Sequence, residues 1–140
     1  MRYSINQPDW KRFFIAIILI FTCTYAGAAE LDGQTFIGPA GLQGSEPDEE
    51  DEVSFNNGEL FSSTCAVWGF EGGSYTTEKS SDGLKFKATT LSPDNGKIVW
   101  EGVIRGNEIE ATYIWTKERW WWFDARQEKW FKGKLKNNTR

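Results

Sequence analysis

From Asp82 to Leu135 apolar and polar residues alternate in short runs, and each run ends in a turn that contains glycine. Leu84, Phe86, Ala88 and Thr90 alternate with Lys85, Lys87 and Thr89 until Asp94-Asn95-Gly96 interrupts them. Ile98, Trp100, Gly102 and Ile104 form the next face. Arg105-Gly106-Asn107 then turns the chain into Ile109, Ala111, Tyr113 and Trp115. Successive side chains of a strand point to opposite faces, so this period-2 pattern predicts antiparallel hairpins with one apolar face. Phe86, Trp100, Tyr113 and Trp115 are expected inward, and Glu101, Glu108 and Glu110 outward in solvent.

The same reading extends upstream. Leu31 to Gly38 is predicted as a first strand. Gly41 to Glu52 is predicted as a solvated loop, because Glu46, Asp48, Glu49, Glu50, Asp51 and Glu52 are interrupted only by Pro47. Clustered carboxylates also suit Ca²⁺, but contiguous acids repel and lack the alternate spacing and glycine bend of a calcium loop. Val53 and Phe55 mark a second strand that ends at the turn Asn56-Asn57-Gly58. Phe61, Ser63, Cys65 and Val67 alternate along a predicted third strand. Trp68 and Phe70 then supply aromatic anchors in a glycine-rich stretch. Ser74 to Glu78 is a fourth strand through Tyr75 and Thr77, and Ser81-Asp82-Gly83 turns the chain into the fifth. Trp120 to Phe123 extends the seventh strand or opens a wide hairpin. Glu128 to Lys136 is the last strand, with Phe131, Gly133 and Leu135 on one face and Lys132 and Lys134 on the other. No amphipathic helix of useful length is apparent.

These elements predict an all-β domain, a single antiparallel up-and-down meander of about eight strands. Closing it into a barrel removes both unpaired edges, and eight strands enclose either a filled core or one small ligand. The alternative is a two-sheet β-sandwich.

Residues 1–28 are expected to be an export signal rather than part of the fold. Arg2, Lys11 and Arg12 form a basic leader, Phe13 to Phe21 is an unbroken apolar run, and Ala26-Gly27-Ala28 fits a small-x-small cleavage site. Residues 29–140 are then one domain in the periplasm or outside the cell. Two alternatives keep the protein on a membrane. The leader stays uncleaved as an anchor, since Phe13 to Ala29 is barely long enough to span, or Cys23 is lipidated, although Thr22 is a poor residue before a lipid-modified Cys. Cleavage leaves no stable membrane insertion.

Charge narrows the partners. Of 16 basic and 20 acidic side chains, Arg2, Lys11, Arg12 and Asp9 belong to the leader, so the domain carries a net charge near −6. Nucleic acid is not an expected partner, because displacing counterions from phosphates needs a basic surface. Cys65 is the lone cysteine after cleavage and is expected to be a small buried hydrophobe without a disulfide. The basic stretch from Lys117 to Arg140 is expected to face a docking partner or to lie against the acidic segment.

Candidate chemistry is sparse. The chain has no His, which removes the commonest general base and metal ligand. Neither Cys65 nor any Ser has a predicted activating partner, and no carboxylate pair is nominated by spacing. The expectation is a non-catalytic protein without cofactor or metal. Its investment is in aromatic rings. Phe86, Trp100, Tyr113 and Trp115 either fill the core or line an apolar pocket, with Tyr113, Thr90 and Ser63 as polar groups. Trp120, Trp121 and Trp122 cannot all enter one interior if they lie on a strand, so at least one is expected outward as a platform. All seven are candidate ligand-binding residues, for a small apolar or sugar-like ligand or an envelope protein partner. The alternative is a structural or interaction protein of the cell envelope with a filled core and no ligand, and the least favoured reading is an enzyme whose two carboxylates converge inside the barrel from distant strands.

The opening Leu31-Asp32-Gly33-Gln34-Thr35-Phe36 resembles that of small uncharacterised bacterial exported proteins with an "LDGKTF"-like first strand. Phe61 to Cys65, Gly106 to Lys117 and Lys129 to Gly133 match the same pattern. The resemblance covers most of the domain and implies export and a β-structure, with no assigned activity. More loosely, the layout is similar to lipocalins and avidins, whose eight-stranded barrels bind small ligands. A lipocalin carries Gly-x-Trp in its first strand, whereas Gly33 here precedes Gln34 and Thr35.

Overall fold

Eight strands close around one interior in chain order: β1 (Thr35–Leu42), β2 (Glu49–Asn56), β3 (Glu59–Ser62), β4 (Gly73–Ser80), β5 (Gly83–Ser92), β6 (Gly96–Arg105), β7 (Glu108–Lys117) and β8 (Ala125–Leu135). A one-turn helix, α1 (Ser63–Ala66), follows β3. This computed structural model describes residues 30–119 and 124–137. The expected leader and the Trp120, Trp121 and Trp122 candidates lie outside the described residues. Every strand pairs antiparallel with its chain neighbours, and β1 closes the ring on β8 through Phe36↔Leu135 and Ala40↔Phe131. The closed barrel, rather than the sandwich, is the architecture.

The register follows the alternation. Ile98 faces Trp115, Trp100 faces Tyr113, Gly102 faces Ala111, and Ile104 faces Ile109 across β6 and β7. Glu101, Glu108 and Glu110 stand exposed on the other face. Rings fill the interior: Phe55 meets Phe36, Tyr75 and Phe86 edge-on, with centroids 6.3, 5.0 and 5.3 Å away. Such edge-to-face contacts add to the burial of each ring. Room for them comes from a missing side chain, since a Cβ at Gly102 would sit 2.6 Å from the Phe86 ring. Leu31 and Asp32 close the end where the chain enters. Leu31 is fully buried, its amide donates to the Tyr75 hydroxyl at 3.2 Å, and that hydroxyl donates to Asp32 at 2.7 Å.

β4 and β8 begin earlier than expected, at Gly73 and Ala125, and three departures from the sequence reading matter more. β1 begins at Thr35 rather than Leu31, because Gly33 adopts a positive φ of 87° in a turn. The acidic segment is only partly a loop: β2 starts at Glu49, so alternation through Val53 and Phe55 carries Glu49 and Asp51 to the inner face. Asp51 is 1 % exposed because donors meet it. Ser62 Oγ lies 2.6 Å from its carboxylate, Ser63 Oγ 3.1 Å and the Thr64 amide 3.0 Å. A buried carboxylate with several donors is tolerated where a bare one is not.

The same three residues stop the third strand early. Ser62 caps α1, its hydroxyl accepting from the Cys65 amide at 3.2 Å. Leu60 and Ser62 are therefore the inward residues of β3, whereas Phe61, Ser63 and Val67 are exposed. Cys65 does reach the interior, but from the helix. The basic strand and the acidic segment meet in two ion pairs, Lys129 with Glu49 and Lys136 with Glu52 at 2.8 Å.

Burial of Trp100 and exposure of Glu101 set opposite expectations. Trp100→Ala should cost about 3–5 kcal/mol, the range for truncating a large buried ring. Glu101→Ala should stay within about 0.5 kcal/mol, since its ion pair with Lys87 lies in solvent. Urea denaturation of the two variants checks both values.

Candidate functional site

The barrel is filled at one end and hollow at the other. At the end formed by the 43–48 loop, α1, the β5–β6 turn and the last residues of β7, the inner positions enclose a cup of about 530 Å³. That volume falls within the range of small-ligand sites. Its floor is a stacked pair: the Trp100 and Tyr113 rings lie 4.1 Å apart at an interplanar angle of 18°. Trp100 Nε1 donates to Thr90 Oγ1 at 3.3 Å, so this ring of the pair is fixed by β5.

Walls rise from this floor along four elements. β7 contributes Trp115 and Lys117 in successive inner positions above Tyr113, and Arg119 follows at the rim. Trp115 Nε1 donates to the Asn95 carbonyl at 2.6 Å, which locks the indole. Lys117 Nζ reaches Asn95 Oδ1 at 3.5 Å, and Asn95 Nδ2 donates to the Trp68 carbonyl at 2.7 Å. The turn residue Asn95 thus ties β7 to the segment after α1. Across the cup, Lys129 of β8 pairs with Glu49 of β2 over the small side chain of Ala40. Its ammonium lies 5.9 Å from the Tyr113 ring centroid, within reach of a cation–π attraction. Cys65, Phe70, Ile98, Thr64 and Gln127 complete the lining.

One polar atom in this region is unsatisfied. Tyr113 is 2 % exposed, yet its hydroxyl has no hydrogen-bond partner among the described residues. A buried polar group without a partner costs about 1–3 kcal/mol, and native structures contain few of them. Burial pushes its pKa far up, and Cys65, Glu49, Asp51 and Asp48 nearby push it further. The Cys65 thiol is also raised, by burial first and by Asp51, against the opposing pull of Ser62, Thr64 and Lys129. It is a protonated, buried thiol at neutral pH, as the sequence reading of Cys65 expects.

Of the sequence candidates, the structure brings Tyr113 and Trp115 into the cup. Trp115 is half-buried at the wall rather than submerged. Trp100 supports the floor, and Phe86 lies in the packed lower core. Among the expected polar groups only Tyr113 reaches the cup. Thr90 serves Trp100, and Ser63 is exposed beside Asp51. Glu49, Lys129 and Gln127 were missed as lining residues, although carrying the alternation of Val53 and Phe131 backward places all three inward. Trp68 and Asn95 had no such signal.

A larger hollow of about 820 Å³ lies on the outer face of β5 to β8, along Lys85, Lys87, Glu101, Glu110 and Lys132. Its charges are paired in solvent, Lys87 with Glu101 at 3.4 Å and Glu110 with the neighbouring Arg105 at 3.2 Å. Its charged lining residues are all exposed, whereas the cup holds a buried, unpartnered hydroxyl, so the cup is the better candidate.

Two expected outcomes follow from these surroundings. Asp51→Ala leaves Ser62, Ser63 and Thr64 without their acceptor and should lower stability by about 1–3 kcal/mol in urea melts. The second concerns pH. Burial, and then the bond to Asp32, pushes the Tyr75 phenol up to about 12 from 10. A raised phenol pKa means the fold favours the neutral form, so its contribution is complete below pH 10 and is lost between about pH 10 and 12. In a chain starting at Glu30, Tyr75 and Tyr113 are the only tyrosines. Absorbance of that protein should show no tyrosinate at pH 10.5 when folded, and should show it when unfolded in guanidinium.

No family model, curated protein or solved structure matches this chain.

Proposed function

We propose that this protein is an exported, non-catalytic β-barrel that holds a small ring-bearing ligand in the cup at its open end. The observation that carries this reading is the Tyr113 hydroxyl, buried and unpartnered at the floor of a hollow walled by Trp115, Phe70 and Ile98. Ligand sites combine apolar walls with a few convergent polar groups, and Glu49, Lys129, Gln127 and the Tyr113 hydroxyl are such groups. A flat ring of a sugar-like or apolar ligand fits against the locked Trp115 indole. The two inward carboxylates already hold structural partners, Asp51 with three donors and Glu49 with Lys129. That favours binding over general acid–base chemistry. The leader of residues 1–28 supports export to the periplasm or the cell exterior.

A second reading, an interaction protein of the envelope, draws on the same end of the barrel. Val67 is 79 % exposed, Trp68 66 % and Leu91 60 %. They are neighbours, since Ser92 Oγ donates to the Trp68 carbonyl at 3.0 Å. In that case a partner protein covers the rim, and the cup is closed by the partner rather than filled by a small molecule.

A titration of ¹⁵N-labelled protein with a panel of monosaccharides and small aromatic acids tests the first reading. At least one compound should shift the Trp115 indole resonance, and Tyr113→Phe should weaken that response several-fold. If no compound moves Trp115, or if the shifts follow Trp130 on the outer face, ligand binding in the cup is wrong.

A further inference from the structure

The polarity of the cup goes further than the presence of a ligand. More than half of the lining side chains are polar or charged: Glu49, Thr64, Asn95, Lys117, Arg119, Gln127 and Lys129. A wholly apolar ligand would strip water from these groups and return no hydrogen bonds, at a cost for each. A polyhydroxylated ring does both jobs, because the C–H face of a pyranose is apolar and its edge is all donors and acceptors. Trp115 presents an indole already held at Asn95 by a 2.6 Å bond, so little order is lost when a ring stacks on it.

Charge is graded along the same wall. In the floor-to-rim order of β7, the lining residues are Tyr113, Trp115, Lys117 and Arg119: a phenol, an indole, an ammonium and a guanidinium. Lys129 is neutralised by Glu49, whereas among the described residues Lys117 forms no ion pair and reaches the neutral Asn95 side chain at 3.5 Å. Asp124 accepts from the Arg119 backbone amide at 3.2 Å. The lining thus holds three cations against one carboxylate, in a chain whose net charge is −4. An acidic protein with a cationic rim over a neutral aromatic wall is arranged for a ligand with an anionic end.

Resting on the ligand-binding reading above, we infer that the cup takes a sugar ring carrying a carboxylate, a hexuronate-type ligand. Its ring lies on Trp115. Its hydroxyls meet the Tyr113 hydroxyl, Glu49 and Gln127, and its carboxylate meets Lys117 and Arg119. Arginine and lysine hold carboxylates through charge-assisted hydrogen bonds, so the acid and not the parent sugar is selected.

Isothermal titration of the full chain at low salt tests this with glucuronate, galacturonate and mannuronate beside glucose, galactose and mannose. At least one uronate should bind about tenfold or more tightly than its matched hexose, the size of one charge-assisted contact. The preference should vanish in the double variant Lys117→Ala/Arg119→Ala and persist in Lys132→Ala on the outer face. Equal binding of acid and parent sugar overturns the inference, as does a preference that survives the double variant. If none of the six sugars binds while an aromatic acid still shifts the Trp115 indole, the saccharide class is wrong and the cup reading stands. If the indole responds to nothing, both fail together.

Discussion

Asp51 carries a carboxylate into the wall of the barrel, and the open end of the molecule is organised around satisfying it. An unpaired buried charge costs several kcal/mol, and here Ser62, Ser63 and Thr64 supply donors within 3.1 Å. Supplying them bends the chain out of β3 and into α1, so the third strand is only four residues long. β3 then meets β4 at just two register positions, Glu59↔Ser74 and Leu60↔Gly73, against nine between β5 and β6. The bend also turns Cys65 inward and sends Trp68 to the rim. A single charged residue therefore converts what would be another regular hairpin into the corner that shapes the cup.

Below that corner the interior is packed with rings, and above it the interior is hollow. The boundary is the stacked pair of Trp100 and Tyr113. Trp100 belongs to the filled half, since its ring is fully buried and its Nε1 is satisfied by Thr90. Tyr113 stacks on it and lines the cup, with its hydroxyl buried and unpartnered among the described residues. Small residues lining the lower barrel, Gly102 and Ala111 among them, let large rings from neighbouring strands cross the axis. At the top the inner positions become charged or polar, and long side chains spread toward the rim instead of filling the axis.

Electrostatics give the cup a direction. Its one lining carboxylate, Glu49, is paired with Lys129, whereas Lys117 and Arg119 lead up β7 and beyond it toward the rim. The Glu49–Lys129 pair holds β2 and β8 together across β1, and both side chains also line the cup. Exposed ion pairs elsewhere, such as Lys79–Glu30 at 3.7 Å, lie in water and contribute little. Glu49 and Lys129 are held further from solvent than these, with side chains 31% and 21% exposed, and a hydrogen bond there counts for more.

Much of the architecture was legible in the chain, because it depends on period and turn chemistry alone. Alternation from Leu84 to Trp115 determined which side chains face inward, and the Asn- and Gly-bearing turns determined where the strands reverse. With every connection local, closure followed from the need to leave no edge. Alternation failed where a tertiary partner overrode it. Nothing local to Glu49 and Asp51 says that Ser62, Ser63 and Thr64 will be there to receive a carboxylate, so an acidic run read as loop became the start of a strand. The cup was hidden for the same reason. Its lining comes from strands separated by up to 80 positions, as in Lys129 and Glu49, and the orphaned hydroxyl of Tyr113 is defined only by what surrounds it in space. The sequence alone determined the strands and their faces, because those are properties of neighbouring residues. Tertiary structure alone decided which polar groups would be satisfied, and so where the interior would be left open.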